Sequence, residues 1–209
     1  VDEGVAVVGA EHDELEAAAT LVLVADPASF PVDPFLAALH DVSPVVRPAP
    51  DDAVALRTPP LATRDRATRA AIDRLSDVFD PEAAIAVWDD ALTAEPWSRP
   101  HFWVHGDFHT GNLLTVDGRL SAVIDFGGLR FGDPASDLMV AYTLLDDEGR
   151  ATFRTALGVD DATWARGRGW GLATGLSAHS AYADTSPHIA AATTRQIRAA
   201  LADRARQHA

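Results

Sequence analysis

His105-Gly106-Asp107-Phe108-His109-Thr110-Gly111-Asn112-Leu113-Leu114, followed after a short hairpin by Val123-Ile124-Asp125-Phe126-Gly127, decides how this chain is read. An apolar strand end, a loop of small and polar residues, and a second strand bring Asp107, Asn112 and Asp125 within reach of one point. Asn112 and Asp125 are oxygen donors suited to a hard cation, and Asp107 is free to take a proton. Phosphoryl transfer is the chemistry that uses such a set.

Each residue has an ordinary structural reading beside the chemical one. Asp107 suits a turn, Asn112 suits a left-handed loop position after Gly111, and Asp125 suits the end of a strand before Gly127-Gly128. Order and spacing favour the chemical reading: H-x-D-x-x-x-x-N, a hairpin, I-D-F-G, and then Asp133-Pro134 opening a further helix.

Composition sets the limits around this segment. The chain has 209 residues, a length that suits one domain with a buried core, and 47% of them are hydrophobic. There is no cysteine, which rules out disulfides and thiolate metal sites and makes the cytoplasm the expected compartment. No apolar run approaches the roughly 20 residues of a spanning helix, so no membrane partner is expected. A net charge of -14 disfavours nucleic acid, whose phosphates demand basic patches, and favours cationic ligands. All 17 basic residues are arginine. A lysine that grips nucleotide phosphates is therefore missing from this sequence.

The expected fold class is α+β and mainly α. Asp33-Pro34, Asp80-Pro81, Asp133-Pro134 and Ser186-Pro187 each place a capping side chain before a proline that tolerates a helix start. Helical spacing links Ile72, Leu75 and Phe79, then Ile85, Trp88 and Leu92, and later Leu172, Leu176 and His179 on a segment from Ala162 to Tyr182. Between 102 and 126 the pattern becomes extended. Strands are expected at 102–106, 113–116 and 120–126, with a turn at Asp117-Gly118. Val5 to Val8 reads as a strand, Leu15 to Ala25 as a helix, and Ser43 to Pro60 as a surface loop.

With those motifs in place, the segment resembles the catalytic region of the aminoglycoside phosphotransferase family, relatives of choline and homoserine kinases with a protein-kinase-like fold. Gly132-Asp133-Pro134-Ala135-Ser136-Asp137-Leu138 matches that family's next motif. Phe35 to His40 resembles the helix that begins its C-terminal lobe, and Arg166 to Trp170 resembles its later long helix. The resemblance implies a C-terminal lobe over 34–209 behind an uncertain segment 1–33, with the N-terminal β-lobe not found. It also implies transfer of the terminal phosphate of ATP or GTP to a hydroxyl of a small molecule such as an aminoglycoside.

Under that resemblance Asp107 is the catalytic base, while Asn112 and Asp125 hold Mg2+. Leu114 and Ile124 floor the nucleotide pocket, and His105, Asp133 and Asp137 support the site. His109 has no fixed role in the pattern. Without the nucleotide-gripping lobe the chain alone is expected to transfer little phosphate. The Gly167-x-Gly169-x-Gly171 run follows no strand and reads as close helix packing. Two other readings stay open: a metal-dependent hydrolase using His105, Asp107 and His109, or a truncated, non-catalytic binding module. The sequence leaves the acceptor, the choice of nucleotide and the oligomeric state open.

Overall fold

The computed structural model describes residues 32–42, 58–99, 102–116 and 119–208. The expected elements at 5–8 and 15–25, the turn at 117–118 and most of the 43–60 loop lie outside these residues. The described chain is mainly helical with two small antiparallel strand pairs, as the composition and caps imply. It divides into two compact units, one built around residues 99–137 with the segment before Pro59, the other from Pro59–Ser98 and Leu138–Ala209.

In the first unit, helix α1 (Val32–Asp41) turns Val32, Phe35, Leu36 and Leu39 inward, at the i, i+3, i+4, i+7 spacing of one helix face. Asp33 sits inside its first turn, where its charge faces the positive end of the helix. Phe35 stacks on Phe108 with ring centroids 5.4 Å apart and meets Phe126 edge-on at 6.5 Å. This cluster is the floor on which the loop after Val104 rests.

Strand β1 (Phe102–Val104) pairs with β4 (Arg130–Gly132), and β2 (Leu113–Val116) pairs with β3 (Arg119–Val123). Strand β4 was not expected from the sequence. Strand β3 ends at Val123, three residues earlier than the alternation of Leu120, Ala122, Ile124 and Phe126 implied. Ala122 and Val123 are the buried residues there, and the chain leaves the ladder at Ile124 to turn through Asp125.

The second unit carries helices α2 (Asp65–Arg74), α3 (Pro81–Thr93), α4 (Val140–Thr143), α5 (Asp147–Ala156), α6 (Asp161–Tyr182) and α7 (Pro187–Gln207). Asp80 caps α3 by accepting from the N–H groups of Glu82 and Ala83, and Ser186 caps α7 through Ile189 N–H. The expected apolar stripes need two corrections: α2 ends at Arg74, so Leu75 and Phe79 follow in a turn rather than on the helix, and Ile85 in α3 is exposed, because the inward face runs through Ala84, Val87, Trp88 and Ala91. Helix α6 buries residues all round, Leu172, Leu176 and His179 among them.

Small residues let α6 sit deep between its neighbours. A Cβ at Gly169 would land on that of Ala91, and one at Gly171 would lie 2.7 Å from the Tyr142 ring. The glycine run is thus a packing device. Polar anchors lock the same bundle: Asp203 accepts from Trp164 Nε1 at 3.0 Å, Arg168 Nη1 at 2.9 Å and Tyr142 Oη at 3.2 Å. Pairing of this kind is what makes a buried guanidinium and carboxylate tolerable. Among the described residues no helix is long and apolar enough to cross a membrane.

Gly169→Ala gains helix propensity but overpacks against Ala91. We expect a net loss of about 1–3 kcal/mol in urea unfolding, and an unchanged or raised midpoint would contradict the packing. A second test uses His40, whose ring stacks on Phe102 at 5.1 Å and whose Nε2 is buried without a partner among the described residues. Burial lowers its pKa from 6.5 to about 4. The unfolded chain therefore binds a proton between those values that the folded chain refuses. His40 contributes fully above pH 6.5 and loses its contribution as pH falls toward 4, by an amount on the order of 3 kcal/mol. The difference in unfolding free energy between wild type and His40→Phe should shift with that sign over that window; a constant difference would rule it out.

Candidate functional site

The site grows from the loop between β1 and β2. Val104 ends its strand fully buried, and the chain bends through Gly106 at φ +80°, a conformation open to glycine. The carbonyl of Gly128 occupies the space a Cβ would need there. Two backbone donors at this bend, His105 N–H and Gly106 N–H, point to the buried carboxylate of Asp137 at 2.7 and 2.8 Å. Burial pushes the Asp137 carboxyl up to about 7, against the pull of those two N–H groups. Asp133 caps the 3-10 turn Pro134–Met139 by accepting from Ala135 N–H at 3.0 Å, which sets Asp137 in place.

His105 is fully buried between the rings of Phe108 and Phe126. Its Nδ1 accepts from Asp107 N–H at 3.3 Å, so the proton lies on Nε2, which donates to Ile124 carbonyl at 2.9 Å. Burial lowers its pKa, with the Ile124 carbonyl and the charges of Asp107 and Asp125 opposing. The neutral ring ties the loop to the end of β3.

Asp107 is exposed beyond this brace. Its Oδ2 receives Asn112 Nδ2 at 3.2 Å and lies 3.5 Å from His109 Nε2. The His109 ring holds the Asp107 carboxyl below the usual carboxylate range, with Asn112 adding to the effect and partial burial opposing it. A carboxylate so held stays ionised at neutral pH. His109 is the site residue to which the family resemblance gives no fixed role, and which the sequence offers only as a metal ligand in the hydrolase reading. The D-x-H-x-x-N spacing was the available signal, but which ring nitrogen faces the carboxylate depends on the local turn.

Asn112 is buried and its Nδ2 also donates to the Asp107 carbonyl at 2.8 Å, while Oδ1 accepts no hydrogen bond from the described residues. Its carbonyl accepts from Ile124 N–H at 3.0 Å, so Asn112 and the residue before Asp125 are stitched together. Asp125 has φ 62° and ψ 64°, and is the one non-glycine residue with positive φ among those described. The left-handed position that Asn112 would suit belongs to Asp125 instead. Aspartate accepts this geometry more readily than most residues, and strain of this sort gathers at functional positions. The Asp125 side chain caps nothing and is exposed.

Leu114 is exposed on β2, and Ile124 is half-buried with both backbone groups engaged. The alternative metal set of His105, Asp107 and His109 does not assemble, because both His105 ring nitrogens are occupied. Among the described residues no group of three His, Cys, Asp or Glu side chains is placed to hold a metal ion.

The family model described as "Phosphotransferase enzyme family" matches residues 34–170. Among solved structures, macrolide 2'-phosphotransferase type I is 20% identical with a TM-score of 0.50, the match covering 85% of this chain and 66% of that one. The macrolide 2'-phosphotransferase MphH from Brachybacterium faecium is 21% identical with a TM-score of 0.45, covering 78% and 56%. The streptomycin-ATP-APH(2")-IIa ternary complex is 17% identical with a TM-score of 0.44, covering 69% and 53%. The chain thus spans between about half and two thirds of the length of these proteins. No curated protein sequence matches it significantly.

Asp137→Ala leaves two buried N–H groups without an acceptor, at a cost of about 1–3 kcal/mol each. Hydrogen exchange at the amides of His105 and Gly106 should accelerate sharply in this variant while α6 stays protected. Unchanged exchange at 105 and 106 would show that Asp137 does not hold the loop.

Proposed function

The chain belongs to the phosphotransferase enzyme family, and on that premise we propose that it carries the catalytic and acceptor-binding part of an enzyme moving the terminal phosphate of ATP or GTP to a hydroxyl of a small molecule. Residues 34–209 form that part. Asp107 is the base that orients the acceptor hydroxyl and takes its proton. Its low pKa suits a group that must be ionised when the acceptor arrives, and its exposure lets a substrate reach it.

The observation that carries the proposal is the division of labour within Asn112. Its amide N–H groups fix Asp107, and its remaining Oδ1 is an oxygen ligand for a cation. Asp125, one residue beyond the hydrogen bond from Ile124 to Asn112, supplies the second oxygen ligand. An amide oxygen and an uncapped carboxylate are hard donors that fit Mg2+ and suit zinc poorly. Bound there, magnesium would neutralise charge on the triphosphate. Asn112 and Asp125 orient it, and His105 and Asp137 keep Asp107 and Asn112 in register with them. Leu114 and Ile124 offer apolar surface for the nucleotide base.

The acceptor is a small hydroxylated molecule, and the chain's charge of -14 favours one bearing amines, as aminoglycosides do. Nucleic acid and membrane play no part in this reading.

The test is transfer of labelled γ-phosphate from ATP and GTP to a panel of aminoglycosides and macrolides by the chain joined to a nucleotide-gripping lobe of the same family, since the chain alone is expected to transfer little phosphate. We expect labelled acceptor that requires a divalent cation, and a loss on the order of 1,000-fold in Asp107→Asn. Transfer that survives this substitution, or that proceeds in excess chelator, would contradict the proposal.

A further inference from the structure

The acceptor-facing carboxylate has two oxygens, and the loop treats them differently. Asn112 Nδ2 lies 3.2 Å from Oδ2, and His109 Nε2 lies 3.5 Å from the same atom. The His109 ring is seated from its other side, where Nδ1 accepts from Gly111 N–H at 3.0 Å. An imidazole whose Nδ1 accepts a hydrogen bond carries its proton on Nε2. That proton faces Asp107.

The seat itself is shaped for the ring. A Cβ at position 111 would lie 2.6 Å from His109 Cε1, so glycine there lets the imidazole lie across the 3-10 turn Thr110–Asn112. The His109 carbonyl also accepts from Asn112 N–H at 3.0 Å. One short turn therefore fixes both donors that converge on Oδ2. Capping that turn needs only a short acceptor such as Asn or Ser. A cap alone does not account for a ring whose far nitrogen meets a carboxylate.

We propose that His109 is a positioning residue for Asp107: seated on Gly111, it turns its Nε2–H onto the Oδ2 already held by Asn112 and so reserves Oδ1 for the acceptor hydroxyl. This rests on Asp107 being the base. A carboxylate held through one oxygen cannot swing about its terminal torsion, so its other oxygen meets the incoming hydroxyl in one orientation. The 3.5 Å separation is long for a hydrogen bond, as catalytic contacts often are before substrate binds.

Two substitutions separate positioning from capping. His109→Asn keeps an acceptor for Gly111 N–H but is too short to reach Asp107, whereas His109→Gln places an N–H near the lost Nε2. In the first, hydrogen exchange of the Asn112 side-chain amide should quicken about tenfold as Asp107 loosens, while exchange at Gly111 N–H holds; in the second it should stay slow. In the transfer assay, His109→Asn should lower kcat about tenfold with acceptor KM within about twofold, and His109→Gln should recover most of the loss. Asn112 exchange indifferent to His109→Asn, or equally fast in both variants, would overturn the proposal. The exchange readout needs no turnover. The predicted exchange pattern in a chain that phosphorylates nothing even when joined to a nucleotide-gripping lobe would support the positioning contact and count against Asp107 as base, while turnover with unaltered exchange would do the reverse.

Discussion

The Asp137 carboxylate accepts from two successive backbone N–H groups, at His105 and Gly106, and the rest of the site depends on that pair of bonds. Burying a carboxylate is costly, and here the cost is offset by the two donors that the bend turns toward it. The result is a loop fixed at its root. Asp107 can then stand exposed without wandering, since the residues before it are held from below and Asn112 holds it from the side. A loop with mobile ends would have to order itself each time a substrate bound, at the expense of affinity and rate.

Two neutral groups extend this anchoring to the opposite strand. His105 links the loop to the Ile124 carbonyl, and Asn112 accepts from the Ile124 N–H, so one residue of the chain receives both ties. The next residue is Asp125 in its left-handed conformation. The aromatic floor of Phe35, Phe108 and Phe126 supports both segments. The proposed base and the proposed cation ligands are thereby referred to a common frame within one compact unit.

Much of this was legible in the residues themselves. The D-x-x-x-x-N and I-D-F-G spacing picks out segments that the structure ties together by hydrogen bonds, and Asp80, Ser186 and the span of α6 follow from capping and period. What escaped reading depended on tertiary choice. Strand β4 is three residues long and exists because β1 offers it a ladder. Ile85 reads as part of a stripe by its bulk, whereas the buried face of α3 uses Ala84 and Ala91. The reach of Asp137 to residues 31 and 32 positions earlier has no local signature. Neither does the turn that faces His109 toward Asp107.

The central claim is that Asn112 and Asp125 present their oxygens to one divalent cation beside the Asp107 carboxylate. Titration of the isotopically labelled chain with Mn2+, a paramagnetic stand-in for Mg2+, tests it directly by relaxation of backbone amides. The account predicts early, selective broadening of amides at 111–113 and 125–127 that is lost in both Asn112→Ala and Asp125→Ala. Broadening centred elsewhere, or persisting at these amides in both variants, would contradict it.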